Sequence, residues 1–255
     1  MEQQDLLRKI AGYWDERIHD LAITTEPVGT PGFFRQLDEY RYDKLNYLPR
    51  LVDFSSYRGK HLLEVGCGAG IDLVRFGRAG ARITGIDLSR TAIDLARKNV
   101  EQHGLNADLR VMNGECMEFP DNSFDVVFAH GVLQYTADTA KMMAEIYRVL
   151  KPGGEAIVMV YNKNSWLNLM RKVTKVPLEH EDAPVLKKFT SAELKQLLKP
   201  FRYSRIVPER FPVKTKLHSG LKARLFNDVF VGAFNMMPKR LVRPLGWHLM
   251  AFAEK

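Results

Sequence analysis

Cysteine is scarce in this 255-residue chain, and long apolar runs are missing. The two cysteines, Cys67 and Cys116, stand far apart and lack the C-x-x-C spacing of a zinc site or the density of a disulfide framework. No apolar stretch approaches the roughly 18 residues that a membrane-spanning helix needs. The first residues, MEQQDLLRKI, lack the apolar core of a secretory signal. We therefore expect a cytoplasmic protein without a metal site.

The positive charge is concentrated in the C-terminal part of the chain. The formal net charge is +8 at pH 7, yet residues 1–162 hold 19 Lys and Arg against 23 Asp and Glu. Residues 163–255 hold 19 against 7, so the two parts carry −4 and +12. This asymmetry favours an anionic partner for the C-terminal part, such as a substrate, a membrane surface or nucleic acid. A solvated basic surface without a ligand explains it equally well.

The most informative stretch is a glycine-rich turn between an apolar run and a helical pattern. Residues 61–66 are typical of a buried strand, and a second apolar run, 81–86, ends just before Asp87. From that position a carboxylate accepts hydrogen bonds from both hydroxyls of a ribose. Glycine allows a close approach of backbone to ligand, because it has no Cβ and tolerates positive φ. This order of elements predicts a nucleoside-binding unit, and the glycines of its turn are Gly66, Gly68 and Gly70.

The spacing of the glycines indicates which nucleoside is bound. The dinucleotide fingerprint G-x-G-x-x-G needs a third glycine where this chain has Ile71, which disfavours a nicotinamide oxidoreductase. With Glu64 in front, the pattern E-x-G-x-G-x-G resembles the cofactor loop of class I S-adenosylmethionine-dependent methyltransferases of the type 11 kind. The resemblance continues through NGEC at 113–116, FPDNSFDVV at 119–127 and LKPGG at 150–154, and it covers residues 61 to about 161.

The resemblance implies that S-adenosyl-L-methionine is the cofactor and S-adenosyl-L-homocysteine its product. The glycine turn would lie beneath the methionine part, Asp87 would hold the ribose and Leu88 would pack on the adenine. Glu115 would contact the adenine amine, although the family usually has Asp there. In related enzymes N-terminal helices lie over the cofactor as a lid. The residues expected to bind the cofactor are Glu64, Gly66, Cys67, Gly68, Gly70, Asp87, Leu88, Glu115, Cys116, Met117, His130, Tyr13 and Tyr42.

Three residues are candidates for contact with the acceptor. His130 follows the fourth strand at the carboxyl edge of the sheet, where ligands bind, and suits either a general base or a cofactor-positioning role. Tyr161 ends the fifth strand, where a tyrosine hydrogen-bonds substrate or closes the pocket. His180 is a second candidate base, and its acidic neighbours in VPLEHEDAP favour a surface loop over a metal site.

The alternation of strand and helix patterns predicts an α/β fold with a parallel sheet and right-handed crossovers. The resemblance extends this to a Rossmann-like, doubly wound, seven-stranded sheet whose last strand is antiparallel, with N-terminal helices and a C-terminal helical elaboration. The expected strands lie near 61–66, 81–86, 108–112, 124–130, 154–161, 201–207 and 247–253. The expected helices lie near 3–22, 33–48, 69–79, 89–103, 136–150, 162–170 and 190–198. The expected divisions are an N-terminal lid over 1–55, a cofactor-binding core over 56–162, and 163–255 as a substrate-determining insertion with a basic amphipathic segment (214–237) and the closing strands.

We therefore expect an enzyme that transfers a methyl group to oxygen, nitrogen or carbon of a small or medium-sized acceptor. The chain lacks the Asn/Asp-Pro-Pro-aromatic tetrapeptide that methyltransferases acting on exocyclic amines of bases commonly carry after the fourth strand. An RNA- or lipid-directed enzyme that uses the basic C-terminal part stays an alternative, with nucleic acid disfavoured and peripheral contact with an anionic membrane left open. A non-catalytic cofactor-binding protein is the least favoured, because the glycine turn and Asp87 are intact.

Overall fold

A computed structural model of the chain describes residues 2–17, 23–174, 180–212, 228 and 230–255. Its seven strands are β1 (His61–Val65), β2 (Arg82–Asp87), β3 (Ala107–Val111), β4 (Phe124–His130), β5 (Leu150–Tyr161), β6 (Tyr203–Glu209) and β7 (His248–Glu254). They form one sheet in the order β3-β2-β1-β4-β5-β7-β6. β1 to β5 pair in parallel, and β7 lies antiparallel between β5 and β6. The predicted seven-stranded Rossmann-like sheet is confirmed.

Ten α-helices surround the sheet in the part of the chain that the structure describes. They are α1 (Glu2–Glu16), α2 (Pro31–Lys44), α3 (Leu48–Leu51), α4 (Ile71–Arg78), α5 (Arg90–Gln102), α6 (Thr139–Val149), α7 (Trp166–Thr174), α8 (Ser191–Leu197), α9 (Val231–Met236) and α10 (Lys239–Val242). Most of the predicted basic segment 214–237 lies outside the described residues. None of the helices in the described ranges combines the length and the apolar character needed to cross a bilayer.

Several helix ends follow from capping side chains. Ser89 caps α5, its Oγ accepting from the amide of Ala92, and Thr190 forms a capping box with Glu193 at the start of α8. Asp138 is the N-cap of α6, and its side chain accepts from two backbone amides at 3.1 Å.

The second helical stretch was predicted to run from 33 to 48, and this is wrong. α2 ends at Lys44, and a turn separates it from the short α3. Pro49 stands in the first turn of α3, where its missing N–H costs nothing. Tyr47 lies in the turn before α3 and is 1% exposed, so this break brings a buried hydroxyl next to His130 and His248, which line the cavity described below.

Alternate residues of the central strands enter two separate apolar cores. Leu62 and Val126 belong to the core on one face of the sheet, whereas Leu63 and Val127 belong to the core on the other. α4 covers the first face and α6 the second. Each fully buried aliphatic side chain contributes roughly 1.5–3 kcal/mol, so both cores together hold the strand ends rigidly.

The strand order positions the candidate site. The chain moves from β1 outward to β3 and then returns to the other side of β1 with β4. In open α/β sheets such a reversal leaves a crevice at the carboxyl ends of the strands, and ligands bind there. In this protein the crevice lies beyond the ends of β1 and β4.

Candidate active site

A cavity of about 230 Å³ occupies this crevice. It lies against the ends of β1, β2, β4 and β5, the start of β7, and the helices α1 and α2. Its charged and imidazole side chains are Glu64, Asp72, Asp87, Glu115, Arg41, Lys44, Arg210, His130 and His248.

The glycine turn forms the floor of the cavity. Gly66, Gly68 and Gly70 have φ values of 68°, 52° and 73°, in the left-handed region that disfavours other residues. A Cβ on Gly66 would lie 2.3 Å from a methyl carbon of Val132, so this glycine is required by packing. A Cβ on Gly68 would meet no protein atom within 4 Å. The space above Gly68 is therefore open to a ligand.

Asp87 connects the turn to the helix that follows β2. Its Oδ2 accepts from the Gly68 amide at 2.9 Å, and its Oδ1 accepts from the Ser89 amide at 2.9 Å. Burial raises the pKa of Asp87, although the amides of Ser89 and Gly68 oppose that effect. Each carboxylate oxygen has a further lone pair, so the side chain can accept two more hydrogen bonds from the cavity.

A buried acidic pair lies beneath the turn. Asp72 is 1% exposed and accepts hydrogen bonds from Arg41 Nε at 2.8 Å, from Tyr42 Oη at 2.7 Å and from Arg41 Nη2. Burial alone would raise the pKa of Asp72, but the Arg41 guanidinium lowers it. Burial and the neighbouring Asp72 charge raise the pKa of Glu64 well above its ordinary value. Within the described residues, Glu64 Oε2 has no hydrogen-bond partner, so this wall fits a cationic ligand.

Glu115 supplies a second carboxylate oxygen that is short of a donor. Its Oε1 accepts from the amide of Asp138 at 3.0 Å, which fixes the side chain against the start of α6. Its Oε2 is buried and has no hydrogen-bond partner among the described residues. A buried acceptor without a donor is costly, and Glu115 lines the cavity. An amine donor from a ligand would satisfy it.

Five side chains joined by hydrogen bonds form the opposite wall, which we call the acceptor wall. Arg41 Nη2 lies 3.3 Å from His130 Nδ1, and His130 Nε2 lies 3.0 Å from Tyr47 Oη. Tyr47 Oη lies 2.6 Å from His248 Nδ1, whose Nε2 lies 3.1 Å from Arg210 Nη1. These hydrogen bonds thus connect α2, β4, β7 and the residue after β6. All members of the acceptor wall except Tyr47 line the cavity.

Most of the residues predicted from sequence lie around this one cavity. Those that line it are Glu64, Gly66, Cys67, Gly68, Asp87, Leu88, Glu115, His130 and Tyr161. Gly70 lies just below it as the N-cap of α4. Cys116 is exposed and Met117 is buried in the core, and neither lines the cavity. The side chains there are those of Met112 and Met142 instead.

The two tyrosines chosen from the N-terminal helices do not line the cavity. Tyr13 donates to Asp182 at 2.8 Å and contacts His180 Nδ1 at 3.1 Å. Tyr42 donates to Asp72, and the Arg75 guanidinium lies 3.4 Å from the centre of its ring. In each helix the adjacent residue lines the cavity, namely Trp14 in α1 and Arg41 in α2.

His180 lies outside the cavity lining but next to it. Its ring packs on Trp14 at 4.8 Å and on Tyr135 at 6.2 Å between centroids, so it is half-buried and ties its loop to α1. Among the described residues, no group of three or more His, Cys, Asp or Glu side chains is arranged to hold a metal ion.

Sequence reasoning did not identify Asp72, Arg41, Tyr47, His248 and Arg210 as site residues. Only the apolar periodicity of the N-terminal helices hinted at the region of Arg41. Arg210 and His248 come from the C-terminal part of the chain, and the antiparallel insertion of β7 between β5 and β6 brings them to the carboxyl edge of the sheet.

Residues 63–158 match the family model described as "Methyltransferase domain". A ubiquinone biosynthesis O-methyltransferase of Coxiella burnetii is 30% identical over 121 residues, which are 48% of this chain and 50% of that protein. A protein of the same name from Brucella anthropi is 30% identical over 154 residues, 57% of this chain and 62% of that one. The chain thus spans about half the length of the first of these relatives, and somewhat more of the second.

Solved structures share the fold at low identity. A protein from Pyrococcus horikoshii aligns with a TM-score of 0.61 and 15% identity, over 95% of this chain and 98% of that one. A SAM-dependent methyltransferase from Thermotoga maritima aligns with a TM-score of 0.53 and 18% identity, over 88% and 98%. The motifs, the sheet and the family match agree, and S-adenosylmethionine is the cofactor of the class they indicate. Residues 63–158 therefore match a methyltransferase domain, and the chain resembles the class I S-adenosylmethionine-dependent methyltransferases in its motifs and its sheet.

Proposed function

We propose that the protein transfers a methyl group from S-adenosylmethionine to a small or medium-sized molecule. The observation that carries this is the open space above Gly68, bordered by Asp87 and by two buried carboxylate oxygens that have no partner within the described residues. The relatives named ubiquinone biosynthesis O-methyltransferase support an acceptor of this size.

The residues of the cavity fit each part of the cofactor. Asp87 would accept hydrogen bonds from the ribose hydroxyls, and Glu115 Oε2 would accept one from the adenine amine. Glu64 would lie near the cationic methionine end, where a positive charge compensates a buried carboxylate. Leu88 and Met112 would supply apolar contact to the base.

The bound cofactor supplies a methyl group attached to a sulfonium sulfur. Once the methyl is transferred, the sulfur compound leaves as a neutral thioether. The remaining task of the chain is to hold the acceptor in line with that methyl and to exclude water, which is catalysis by proximity. Aromatic side chains provide the walls: Trp14 meets Tyr135 edge-on at 5.0 Å, and Tyr135 Oη donates to Tyr161 Oη at 3.3 Å. Tyr161 is our choice for a residue that contacts the acceptor.

The N-terminal helices are proposed to act as a lid over residues 56–162. Asp15 of α1 accepts from Ser89 Oγ at 2.7 Å and from the Thr91 amide at 3.1 Å. α1 therefore docks on the start of α5, directly beside Asp87. We propose that residues 163–255 complete the acceptor end, since Arg210 and His248 line it.

The test is transfer of labelled methyl from S-adenosylmethionine into a host extract separated into small molecules, lipids and RNA. We expect label in the small-molecule fraction, and much less label with the Asp87→Asn variant at a donor concentration that does not saturate it. Label confined to RNA or lipid would favour the alternative that rests on the basic segment 214–237. Absence of transfer to any fraction, with normal binding of S-adenosylhomocysteine, would indicate a non-catalytic protein.

A further inference from the structure

The strand order places negatively charged side chains at one end of the cavity and guanidinium and imidazole groups at the other. Glu64 and Asp87 come from β1 and β2, and Glu115 follows β3, so these three carboxylates lie on one side of the crevice. Arg210 follows β6 and His248 begins β7, which lie on the other side of β4. The negative end fits a sulfonium nucleoside. The opposite end, where the acceptor would bind, carries guanidinium groups and imidazoles.

The positions of the hydrogens on the acceptor wall follow from its two ends. A guanidinium is always a donor, so His130 Nδ1 and His248 Nε2 must both accept from Arg41 and Arg210. A neutral imidazole has one N–H, and each histidine therefore directs that hydrogen from its other nitrogen to Tyr47 Oη. The phenol oxygen accepts two hydrogen bonds, at 3.0 and 2.6 Å.

This arrangement leaves neither imidazole with a free lone pair for an acceptor proton. Burial and the Arg41 charge lower the pKa of His130 to about 3. Burial and the Arg210 charge lower the pKa of His248 well below its ordinary value. Both rings are thus neutral near pH 7, and they are weak bases. The acceptor wall offers positive charge and hydrogen-bond donors, and the anion bonded directly to it, Asp72, is held by Arg41 and Tyr42.

Arg210 is built firmly into this position. Its φ of 58° places a non-glycine residue in the left-handed region, a conformation that persists only where surrounding contacts impose it. Its carbonyl accepts from Trp166 Nε1 at 2.9 Å and from the Trp247 amide at 3.3 Å. Lys44 adds a further cation to the same end of the cavity, with its Nζ 5.1 Å from the centre of the Tyr40 ring.

We propose that the acceptor binds at this wall as an oxyanion, either a carboxylate or an ionised phenol, and that no histidine of the wall deprotonates it. This rests on the proposed methyl transfer and specifies its substrate class. The ionised oxygen forms a bond to the methyl carbon while the carbon–sulfur bond breaks, and its electron pair stays on sulfur as the neutral thioether. The negative charge of the acceptor and the positive charge of the sulfonium cancel, so no proton leaves in the step. Arg210 holds the oxygen in its reactive, ionised form.

Two pairs of probes test the proposal on the full chain saturated with S-adenosylhomocysteine. The carboxylate arm compares 4-hydroxybenzoate with the neutral 4-hydroxybenzamide by calorimetry. The phenolate arm uses 4-nitrophenol, whose ionised form absorbs visible light, so its apparent pKa is measured directly on the protein. The variants are Arg210→Gln, Arg210→Lys and the control Arg205→Gln, an arginine on β6 that packs on Phe252 away from the cavity.

We expect at least one arm to respond. Either the carboxylate binds about tenfold or more tightly than the amide, or bound nitrophenol shows an apparent pKa lowered by about 1, as a nearby cation produces. Arg210→Gln removes that preference, Arg210→Lys retains most of it and Arg205→Gln leaves it unchanged. The responding arm identifies the kind of oxyanion.

Equal binding of the charged and neutral probes, failure of both anions to bind, or an unaltered preference in Arg210→Gln would overturn the proposal. Affinity for S-adenosylhomocysteine is measured on every variant and reports both folding and the donor site. If it is retained while the anion preference is absent, the oxyanion proposal fails and the proposed methyl transfer stands. If wild type does not bind S-adenosylhomocysteine, the proposed function itself fails.

Discussion

Replacement of Asp87 by asparagine tests how the cavity would hold a nucleoside. The carboxylate already accepts two backbone amides at 2.9 Å, from Gly68 and Ser89, and we expect it to accept two ribose hydroxyls as well. An asparagine retains one acceptor oxygen, turns an N–H₂ group toward a donor and removes the charge. Hydrogen bonds to charged groups contribute about 1.5–3 kcal/mol each.

Loss of one such bond should therefore weaken S-adenosylhomocysteine binding by about 1.5–3 kcal/mol, or roughly tenfold to a hundredfold in Kd. Isothermal titration calorimetry of the wild type and the variant measures this directly. The matched control is Asp108→Asn on β3, whose carboxylate pairs with Arg110 at the surface and should leave the affinity unchanged. A folded Asp87→Asn protein with wild-type affinity would refute the ribose assignment.

The other predictions concern the floor and walls of the cavity. Gly68→Ala should reduce S-adenosylhomocysteine affinity more than tenfold. It should lower the free energy of unfolding by only about 1–2 kcal/mol, the cost of a left-handed alanine. The control Gly104→Ala, where Gly104 has a φ of 63° and open space around it, should lower stability without changing the affinity. The folded-state pKa of His130 is about 3 against an ordinary 6.5, so as the pH falls the unfolded chain binds a proton at this residue before the folded chain does. The free energy of unfolding should therefore decrease as the pH drops from 6.5 toward 3. The slope is at most about 1.4 kcal/mol per pH unit for this residue, and urea unfolding of His130→Gln should show a shallower dependence; an identical dependence would contradict the burial of a neutral ring. Arg41→Gln leaves the buried carboxylate partner of Arg41 unpaired and should lower the free energy of unfolding by about 3–5 kcal/mol. The control Arg75→Gln should cost less than about 1 kcal/mol, because the pair of Arg75 with an aspartate is about one-third exposed. Equal effects of the two variants in denaturant melts would count against the buried pair.

The donor end was predictable because its geometry is local. The turn from Glu64 to Gly70 and the acid at 87 lie within one β–α–β unit, and the structure places the predicted glycines and Asp87 together. Short-range spacing determines such a unit, since the right-handed crossover leaves one way to pack it. The parallel pairing of the first five strands followed from the alternation of strand and helix patterns.

The rotation of the N-terminal helices was not predictable from the sequence. Adjacent residues on a helix point about 100° apart, so a pattern shows that one face is buried without showing what covers it. Tyr13 and Trp14 are both partly buried, but only Trp14 lines the cavity, because Tyr13 bonds to Asp182 in a distant loop. Likewise, Arg41 lines the cavity and Tyr42 does not, because the Arg41 guanidinium pairs with the buried Asp72.

The acceptor wall depends on pairings that no local pattern reveals. His248 reaches His130 because β7 inserts between β5 and β6, and Tyr47 joins them because α2 ends before α3. These contacts separate residues by 83 to 201 positions along the chain. The identity of the acceptor depends on this wall, and for that reason the sequence indicated the donor and left the acceptor open.

Calorimetry with S-adenosylhomocysteine and with NAD tests the central claim most directly. The left-handed glycines, the open space above Gly68 and the two buried carboxylate oxygens that lack a partner among the described residues together predict that S-adenosylhomocysteine binds with measurable heat and that NAD does not. Strong binding of NAD without any heat from S-adenosylhomocysteine would contradict the account of the cavity.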